Sequence, residues 1–418
     1  MKLLLVAHLF PLPAHDGGRI AFFNTVKHLA RVHEVGVICL AGRDEDAPSG
    51  DLEKHCSYVH VFRRKAHTDK LRILRGMLLD PPGAGSKYWY PAAGELIRKS
   101  VRAQRPEVVE FHHLNMAVYR TFAEGVPTVL REHNVEYKVW ERYARGASGM
   151  LERTYAKWTA PRLRRYEAEV ASRFDRCVVV SPADAGYLRA VSPSSRIEVV
   201  PFGIDTEYFY PLLEVPEEPC SITITGSFDW GPKQQSLHTL LTRVFPSIRA
   251  HFPEAKLYVV GRGVSRELKE AADKMRGVVV TGPVADVRPH IARSSLLINY
   301  MESGGGIAIK VLEAMAMRKP VLCNSLGCEG IPVTRGQDVF VADGAEEFAT
   351  AAVWLLRDES ARARIAEGGY RRVLEEYSWQ VITGRLGRVY EALRSERGTV
   401  RPVVELGQLG EVSAIQER

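Results

Sequence analysis

The sequence predicts an α/β protein made of two doubly wound, Rossmann-like domains that face a central cleft. Short apolar runs typical of buried strands alternate with helical segments over residues 2–205, and the alternation resumes over residues 222–393. The apolar runs are continuous, as in parallel sheets that are covered on both faces. With 418 residues the chain exceeds the usual size of one hydrophobic core. We therefore expect two domains whose carboxyl sheet edges meet at one cleft.

The composition excludes several other classes of protein. Hydrophobic residues make up 45% and charged residues 26% of the chain, which is typical of a globular protein. The six cysteines lack the paired spacing of a zinc site or a disulfide framework, so we expect no metal site and a reducing environment. The formal net charge of +7 is modest for this length and by itself says little about partners. We expect no nucleic-acid partner.

The N-terminal apolar run, residues 2–7, resembles a signal peptide only superficially. It is short, and His8, Pro11 and Pro13 interrupt it at once, which favours a buried first strand. No apolar run in the sequence is long enough to span a bilayer. We expect a cytoplasmic protein, with peripheral contact at the inner face of the membrane as the alternative.

The turn-rich loop after the first strand ends at Gly17 and Gly18, where the first helix is predicted to begin. Ligands of open α/β sheets bind at the carboxyl ends of strands. The two glycines are therefore candidates for a close approach of backbone to a phosphate or a sugar. A plain turn explains the pair equally well.

A basic segment follows in the first domain. Residues 62–75 carry six basic side chains interleaved with apolar ones. Such a segment suits contact with an anionic lipid or a charged acceptor. A solvated helix face is the simpler interpretation.

Two polar clusters follow predicted strands of the first domain, at the edge where α/β active sites form. His112 and His113 come directly after the apolar run 108–111, and a doubled histidine in a loop favours a site role for at least one of them. The second cluster, residues 131–137, contains His133 and Asn134. Its side chains either hydrogen-bond a sugar or cap the next helix.

The most informative stretch lies in the second domain, at residues 303–316. A glycine triplet runs into a helix whose apolar sequence contains one carboxylate, Glu313. A glycine loop followed by the free N–H groups of a helix is a natural anion site. Lys310, three residues before Glu313, either reaches a bound phosphate or pairs with that carboxylate.

A nicotinamide-dependent Rossmann enzyme fits the sequence poorly. Such an enzyme would need G-x-G-x-x-G after a strand. The segment 261–263 follows a predicted strand but lacks the third glycine.

The order and spacing of several motifs resemble a known family, the GT-B glycosyltransferases of family 4. The matching segments are 16–19 (DGGR), 181–182 (SP), 199–205 (VVPFGID), 226–233 (GSFDWGPK), 259–263 (VVGRG), 279–284 (VVTGPV) and 310–321 (KVLEAMAMRKPV). The glycine triplet, Lys310 and the segment 327–330 (GCEG) are similar to a branch found in bacterial exopolysaccharide clusters.

The resemblance implies a division of the chain into four parts. Residues 1–203 would form an acceptor-binding Rossmann-like domain, and residues 204–378 a nucleotide-sugar-binding one. A helix over residues 379–396 would cross back onto the first domain. Residues 397–418 would form a loose tail.

The resemblance also implies roles for individual residues. Glu313 matches a carboxylate that binds the nucleotide ribose, and Lys233 matches a lysine on the diphosphate. His113, with His112 as the neighbouring alternative, would hydrogen-bond the donor sugar. These three, His113, His112 and Lys233, form the predicted catalytic set. The predicted donor-binding residues are Gly17, Gly18, Arg262, Gly305, Gly306, Ile307, Ala308, Ile309, Lys310 and Glu313, and the predicted acceptor- or sugar-binding residues are Arg19, His133 and Asn134.

The chain departs from the family pattern at two positions. Gly305 stands where the family has a first glutamate that contacts the donor sugar, and Glu302 is three residues out of register with it. Ser227 stands where the family has an arginine on the diphosphate. Either Arg262 or Lys310 could supply the missing positive charge.

On this resemblance we expect a retaining hexosyltransferase that moves a sugar from a UDP- or GDP-linked donor to an acceptor in glycan or glycoconjugate synthesis. No metal or other cofactor is implied, because the nucleotide sugar is a co-substrate and the leaving phosphate would help deprotonate the acceptor at the front face. A lipid-linked glycan is one candidate acceptor. The alternative is a catalytically inactive GT-B partner subunit that only binds nucleotide sugar, which the two departures motivate.

Overall fold

The computed structural model describes residues 1–13, 17–42, 50–63, 88–146, 149–229, 231–302 and 307–398. Several features named above lie outside these ranges. They are Gly305 and Gly306 in the glycine loop, residues 64–75 of the basic segment, and the tail beyond residue 398.

The first domain is built on a parallel sheet of seven strands in the order β3-β2-β1-β4-β5-β6-β7. The central strands β1, β4 and β5 are almost completely buried, which explains their continuous apolar sequences. The strands are β1 Lys2–Ala7, β2 Glu34–Ala41, β3 Tyr58–Arg63, β4 Val108–His112, β5 Thr128–Arg131, β6 Arg176–Val179 and β7 Ile197–Val199.

The second domain is built on a parallel sheet of six strands in the order β10-β9-β8-β11-β12-β13. In both sheets the strand order reverses beside the first strand of the domain, which opens a crevice at its carboxyl end. The predicted α/β fold with two doubly wound domains is therefore confirmed. The strands are β8 Glu218–Thr225, β9 Lys256–Val260, β10 Val278–Gly282, β11 Ser294–Asn299, β12 Val321–Cys323 and β13 Phe340–Val341.

Helices cover both faces of each sheet. In the first domain they are α1 Gly17–Leu29, α2 Pro91–Gln104, α3 Glu136–Gly146, α4 Met150–Ala171 and α5 Pro182–Val191, with a 3₁₀ segment over Leu114–Ala123. In the second domain they are α6 Gly231–Thr239, α7 Phe245–His251, α8 Arg266–Asp273, α9 Arg288–Arg293, α10 Ile309–Ala316, α11 Ala345–Arg357 and α12 Glu359–Arg372. None of the helices in the described ranges is both long and apolar enough to cross a bilayer.

The last helix, α13 Trp379–Gly398, packs on the first sheet although it follows the second domain in the chain. Its buried residues Ile382 and Leu386 join the core formed by β1, β2 and α1. The hydroxyl of Tyr390 donates a hydrogen bond of 2.5 Å to the buried carboxylate of Glu110 in β4. The helix thus ties the end of the chain to the centre of the first domain.

The connection between the two domains, here called the passage, comprises residues 203–205 and 377–379, and packing around Trp379 stabilises it. Its ring is stacked on His28 of α1 at a centroid separation of 5.2 Å. Its Cδ2 atom lies 2.6 Å from the position that a Cβ on Gly203 would occupy. Next to this contact, the Ile204 N–H donates a 2.7 Å hydrogen bond to the Tyr377 carbonyl.

Charged groups reinforce the same passage. Lys27 Nζ lies 2.7 Å from Asp205 Oδ2. Burial alone would raise the pKa of Asp205, but hydrogen bonds from His28 and Lys27 outweigh burial and lower it. The guanidinium of Arg131, which is fully buried at the end of β5, donates to the Pro201 carbonyl at 3.4 Å.

We expect Gly203→Ala to destabilise the protein by about 1–3 kcal/mol, because the added methyl group must displace the indole of Trp379. Gly387→Ala is the matched control. It lies in α13 with open space around its Cβ position, so the change should be neutral or stabilise the helix by up to about 1 kcal/mol. Urea unfolding of both variants measures the difference. Equal stability of the two would contradict the packing described here.

Candidate active site in the interdomain cleft

A cavity of about 590 Å³ lies where the carboxyl edge of the second sheet faces the start of α1. Its first-domain wall is formed by Gly17 and Ile20, and its remaining walls belong to the second domain. The predicted site residues that line it are Gly17, Lys233, Arg262, Ile307, Ala308, Ile309, Lys310 and Glu313. The fold therefore brings the nucleotide-side predictions together, although they are spread over nearly 300 positions of the chain (residues 17 to 313).

Three cationic side chains border this cavity: Lys233, Arg262 and Lys310. The Arg262 Nε lies 3.1 Å from Asp229 Oδ2, and the Ser227 hydroxyl donates to the same oxygen at 2.6 Å. Ser227, which replaces the arginine of the family pattern, thus helps to hold Arg262 at the cavity through Asp229. The cavity combines positive charge from three separate elements, which suits an anionic ligand.

Burial shifts the protonation of the two charged residues on α10. Burial lowers the pKa of Lys310 to about 8, and repulsion from Lys233 adds to the effect. Burial raises the pKa of Glu313 to about 7, because it outweighs the attraction of Lys310. Near neutral pH, Glu313 is therefore close to the midpoint of its titration, whereas Lys310 is still mostly charged and loses its proton as the pH rises through about 8. An anion bound beside Lys310 would favour the charged lysine.

The amides at the start of α10 are partly occupied by the protein itself. The Ile309 N–H donates to the Ile307 carbonyl at 3.0 Å, and the Val311 N–H donates to the Ala308 carbonyl at 2.9 Å. The prediction that the Ile309 amide binds the diphosphate therefore does not fit this geometry. The side chains of Ile307 and Ile309 instead pack on Ala21 and Phe202 of the first domain.

Two glycines let the loops after β8 and β9 touch each other beside the cavity. Gly261 has a φ of 137°, and a Cβ at this position would stand 1.7 Å from the Gly226 carbonyl oxygen. A side chain at Gly261 would therefore collide with the other loop, and at Gly226 the φ of 145° disfavours any residue with a Cβ. The close approach of the two loops therefore explains the glycine at position 261, in addition to any role of the segment 259–263 in binding a ligand.

Thr225 is a cavity residue that sequence reasoning missed. It ends β8, it is only 3% exposed, and its Oγ1 has no hydrogen-bond partner within the described ranges. A buried hydroxyl without a partner is costly, so this oxygen is well suited to a ligand. Its position at the carboxyl end of the first strand of the domain was the available signal.

His112 does not reach the cavity. Its side chain is 1% exposed, its Nε2 lies 2.8 Å from Glu110 Oε1, and its ring packs edge-on against Phe22. The prediction of a catalytic His112 therefore does not fit, because the ring points into the core of the first domain. Burial also lowers its pKa.

His113 is less buried than His112, with 17% of its side chain exposed. Its backbone has φ 79° and ψ 144°, a conformation that is costly for any residue except glycine. Its Nδ1 accepts a 3.3 Å hydrogen bond from the Asn115 N–H, and its Nε2 lies 3.2 Å from Glu136 Oε1. It does not line the cavity described above, so its role toward a sugar stays a prediction.

The remaining first-domain predictions fall around the cavity and not in it. His133 packs edge-on against Phe202 at 4.9 Å. Asn134 lines a small recess next to the pair formed by Arg142 and Glu329. Arg19 donates from Nε to the Phe10 carbonyl at 3.1 Å. Gly18 lies in the first turn of α1, beside the cavity residue Gly17.

Sequence reasoning also missed an ion pair that joins the two domains. Arg142 of α3 makes two hydrogen bonds, of 2.5 and 2.6 Å, to the carboxylate of Glu329 in the second domain. Paired hydrogen bonds of this kind are among the stronger polar contacts in proteins. The partners are 187 positions apart, and neither residue carries a local signal of the pairing.

Two family models match adjacent parts of the chain. The model "Glycosyltransferase Family 4" matches residues 16–208, and the model "Glycosyl transferases group 1" matches residues 219–358. Each match covers one of the two domains. The chain is a family 4-like GT-B glycosyltransferase. The resemblance seen in the motifs is thereby confirmed.

Curated relatives of this glycosyltransferase are distant. An uncharacterized 44.6 kDa protein in the cps region of Klebsiella pneumoniae is 22% identical over 394 residues, which are 90% of this chain and 96% of that protein. A phosphatidyl-myo-inositol mannosyltransferase of Mycolicibacterium smegmatis is 28% identical over 239 residues, which are 55% of this chain and 60% of that protein.

Solved structures share the fold of the glycosyltransferase at low identity. Sucrose-phosphate synthase from Thermosynechococcus elongatus has a TM-score of 0.68 at 18% identity, covering 95% of this chain and all of that one. The Anabaena protein HepE, in complex with UDP and glucose, has a TM-score of 0.66 at 15% identity, covering 94% of this chain and all of that one.

Within the described ranges of the glycosyltransferase, no group of three or more His, Cys, Asp or Glu side chains is arranged to hold a metal ion. Metal independence stays a prediction.

We expect the affinity of the cavity for UDP to fall about tenfold between pH 7.5 and pH 9. In the empty cavity the pKa of Lys310 is about 8. A bound diphosphate raises that pKa. The affinity for UDP is therefore highest below about pH 8, where Lys310 is protonated, and it falls as the pH rises further. Titration calorimetry at several pH values measures the effect.

Lys310→Arg is the matched variant, because arginine keeps its charge over this range. Its affinity should be nearly independent of pH. A wild-type affinity that does not change between pH 7.5 and pH 9 would contradict the lowered pKa of Lys310.

Proposed function

We propose that the protein transfers a sugar from a nucleotide-diphosphate sugar to an acceptor in glycan or glycoconjugate synthesis, with retention of the anomeric configuration and without a metal. The observation that carries this proposal is the cavity itself. It places Lys233, Arg262 and Lys310 beside Glu313, at the strand ends where nucleotides bind in doubly wound sheets.

The charges of the cavity match the needs of the reaction. When the bond between the sugar C1 and the diphosphate oxygen breaks, negative charge develops on the leaving diphosphate. Without a metal, protein cations must stabilise that charge, and one well-placed donor contributes about 2–4 kcal/mol in the transition state. Lys233 and Lys310 lie on separate helices that meet at this cavity, and Arg262 is held there by Asp229.

Glu313 supports a nucleotide as the ligand. A carboxylate accepts two hydrogen bonds from the vicinal hydroxyls of a ribose. Its position one turn from Lys310 would put a ribose next to the diphosphate. The mannosyltransferase relatives and the UDP complex of HepE favour a GDP- or UDP-linked donor.

We propose front-face departure for the chemical step. The acceptor hydroxyl oxygen bonds to C1 on the face that the diphosphate leaves, and the hydroxyl proton passes to a diphosphate oxygen. This step needs no nucleophile from the protein. It fits the cavity, where Glu313 is the one carboxylate among the lining residues that the structure describes.

A donor panel tests the proposed function. Purified protein is incubated with UDP- and GDP-linked hexoses, with and without EDTA, and release of nucleotide is followed by mass spectrometry. We expect one donor to be hydrolysed slowly and equally under both conditions. Binding without any turnover would favour the inactive partner subunit, and no binding across the panel would refute both.

We expect Glu313→Ala to weaken UDP binding about tenfold or more, because it removes a charge-assisted acceptor from the ribose position. Thermal unfolding without ligand should stay close to that of the wild type. Glu375→Ala, at an exposed position that does not line the cavity, is the control and should bind UDP normally. Unchanged affinity in Glu313→Ala would refute the ribose role.

We expect Lys233→Met to lower kcat/KM for donor hydrolysis by about 10²–10³, because one stabilising charge on the leaving diphosphate is lost. Lys269→Met, at an exposed position of α8, keeps the same change in net charge away from the cavity. It should retain full activity. Equal kcat/KM values for the two variants would show that Lys233 is not a catalytic residue.

A further inference from the structure

The helices α3 and α4 form a hairpin on the first domain, here called the basic hairpin. The two helices pack closely along their length. At the start of α4, Met150 is 83% exposed and Leu151 is 86% exposed. Two adjacent large apolar side chains with this exposure are uncommon on the surface of a globular protein.

Positive charge lies along a groove next to this apolar tip, and the tip itself also carries the exposed carboxylate of Glu152. An open groove of about 540 Å³ runs between the two helices, and its charged lining comprises four cations and one carboxylate. The cations are Arg145, Arg153, Lys157 and Arg164, and the carboxylate is Glu141. Arg153, Lys157 and Arg164 follow one another at intervals of four and seven residues, so they lie along one face of α4.

A second exposed stripe of α4 combines an aromatic ring with a further cation. Trp158 is 44% exposed, and the Arg162 guanidinium lies over its ring at 4.0 Å from the centroid. Tryptophan and arginine are typical of surfaces that lie at the boundary between water and lipid. By the helical repeat, Leu151, Trp158 and Arg162 share one stripe of α4. The groove cations lie on the other side of the helix, together with Met150, so apolar and basic groups occur together on both sides of the start of α4.

We propose that the basic hairpin docks on an anionic bilayer, with Met150 and Leu151 inserted among the acyl chains and the cations on the lipid head groups. Cations alone would suit any polyanion. The exposed apolar pair favours a membrane, because a soluble polyanion offers nothing to bury these side chains. Each basic residue near an anionic membrane strengthens binding about fivefold.

Helix α3 of the hairpin contacts both His113 and the second domain. Glu136 at the start of α3 is 3.2 Å from His113, and Arg142 of the same helix binds Glu329 of the second domain. Docking would hold the acceptor side of the cleft near the membrane. Resting on the proposed function, this geometry favours a lipid-linked acceptor.

Vesicle binding tests the docking surface without measuring sugar transfer. The full-length protein is sedimented with phosphatidylcholine vesicles that contain either 30% or no phosphatidylglycerol. We expect binding only to the anionic vesicles. Met150→Ser with Leu151→Ser should lower the partition coefficient about tenfold or more, and Lys157→Gln with Arg164→Gln should lower it similarly and weaken the dependence on salt.

Two control variants carry the same chemical changes elsewhere. Leu213→Ser changes a leucine that is 90% exposed, and Lys269→Gln with Lys274→Gln removes two exposed charges from the second domain. Both should bind vesicles normally, and all variants should keep the UDP affinity of the wild type. Equal loss in the control variants, equal binding to neutral vesicles, or binding to a soluble polyphosphate but not to vesicles would each overturn the proposal. Failure here leaves the donor-panel result unaffected, so the two proposals fail separately.

Discussion

The packing of Trp379 against Gly203 and His28 is the constraint on which the cleft depends. It joins the start of α13 to the passage between the domains, and the pair of Lys27 with Asp205 reinforces it. Because α13 then lies on the first sheet, the second domain is attached to the first at two points of the chain. The carboxyl edge of the second sheet consequently faces the start of α1 across the cavity, and the contact of Arg142 with Glu329 joins the two domains at a separate place.

The cavity is electrostatically prepared for an anion. Lys310 is buried near another lysine, so its pKa is lowered, while the pKa of Glu313 is raised by the same burial. Both shifts reflect the loss of water around the charged forms, which a ligand with phosphate and hydroxyl groups would offset. The hydroxyl of Thr225 has no partner within the described ranges. The cavity therefore holds polar groups that gain from a polar ligand.

Where the signal was local, sequence reasoning predicted residues that the fold brings to one cavity, and their roles toward a ligand stay predictions. Lys233, Lys310 and Glu313 lie in short strand-loop-helix units, and a parallel sheet brings the loops of such units to one edge. It could not separate His112 from His113, because neighbouring residues at a strand end point to opposite sides and only the surrounding helices decide which side is core. It also assigned the Ile309 amide to a ligand, whereas the local turn uses that amide for the Ile307 carbonyl.

The alternation of apolar runs and helices by itself determined the two-domain α/β fold, because parallel strands buried on both faces require that pattern. The motifs by themselves determined the family, and they predicted which residues of the second domain line the cavity. Only the tertiary structure decided which histidine enters the core, that Tyr390 binds Glu110, and that Arg142 binds Glu329. These contacts join residues far apart in the chain, and their partners depend on how helices and sheets pack, which no local pattern specifies. The exposed tip of the basic hairpin belongs to the same group, because exposure follows from packing and not from residue type.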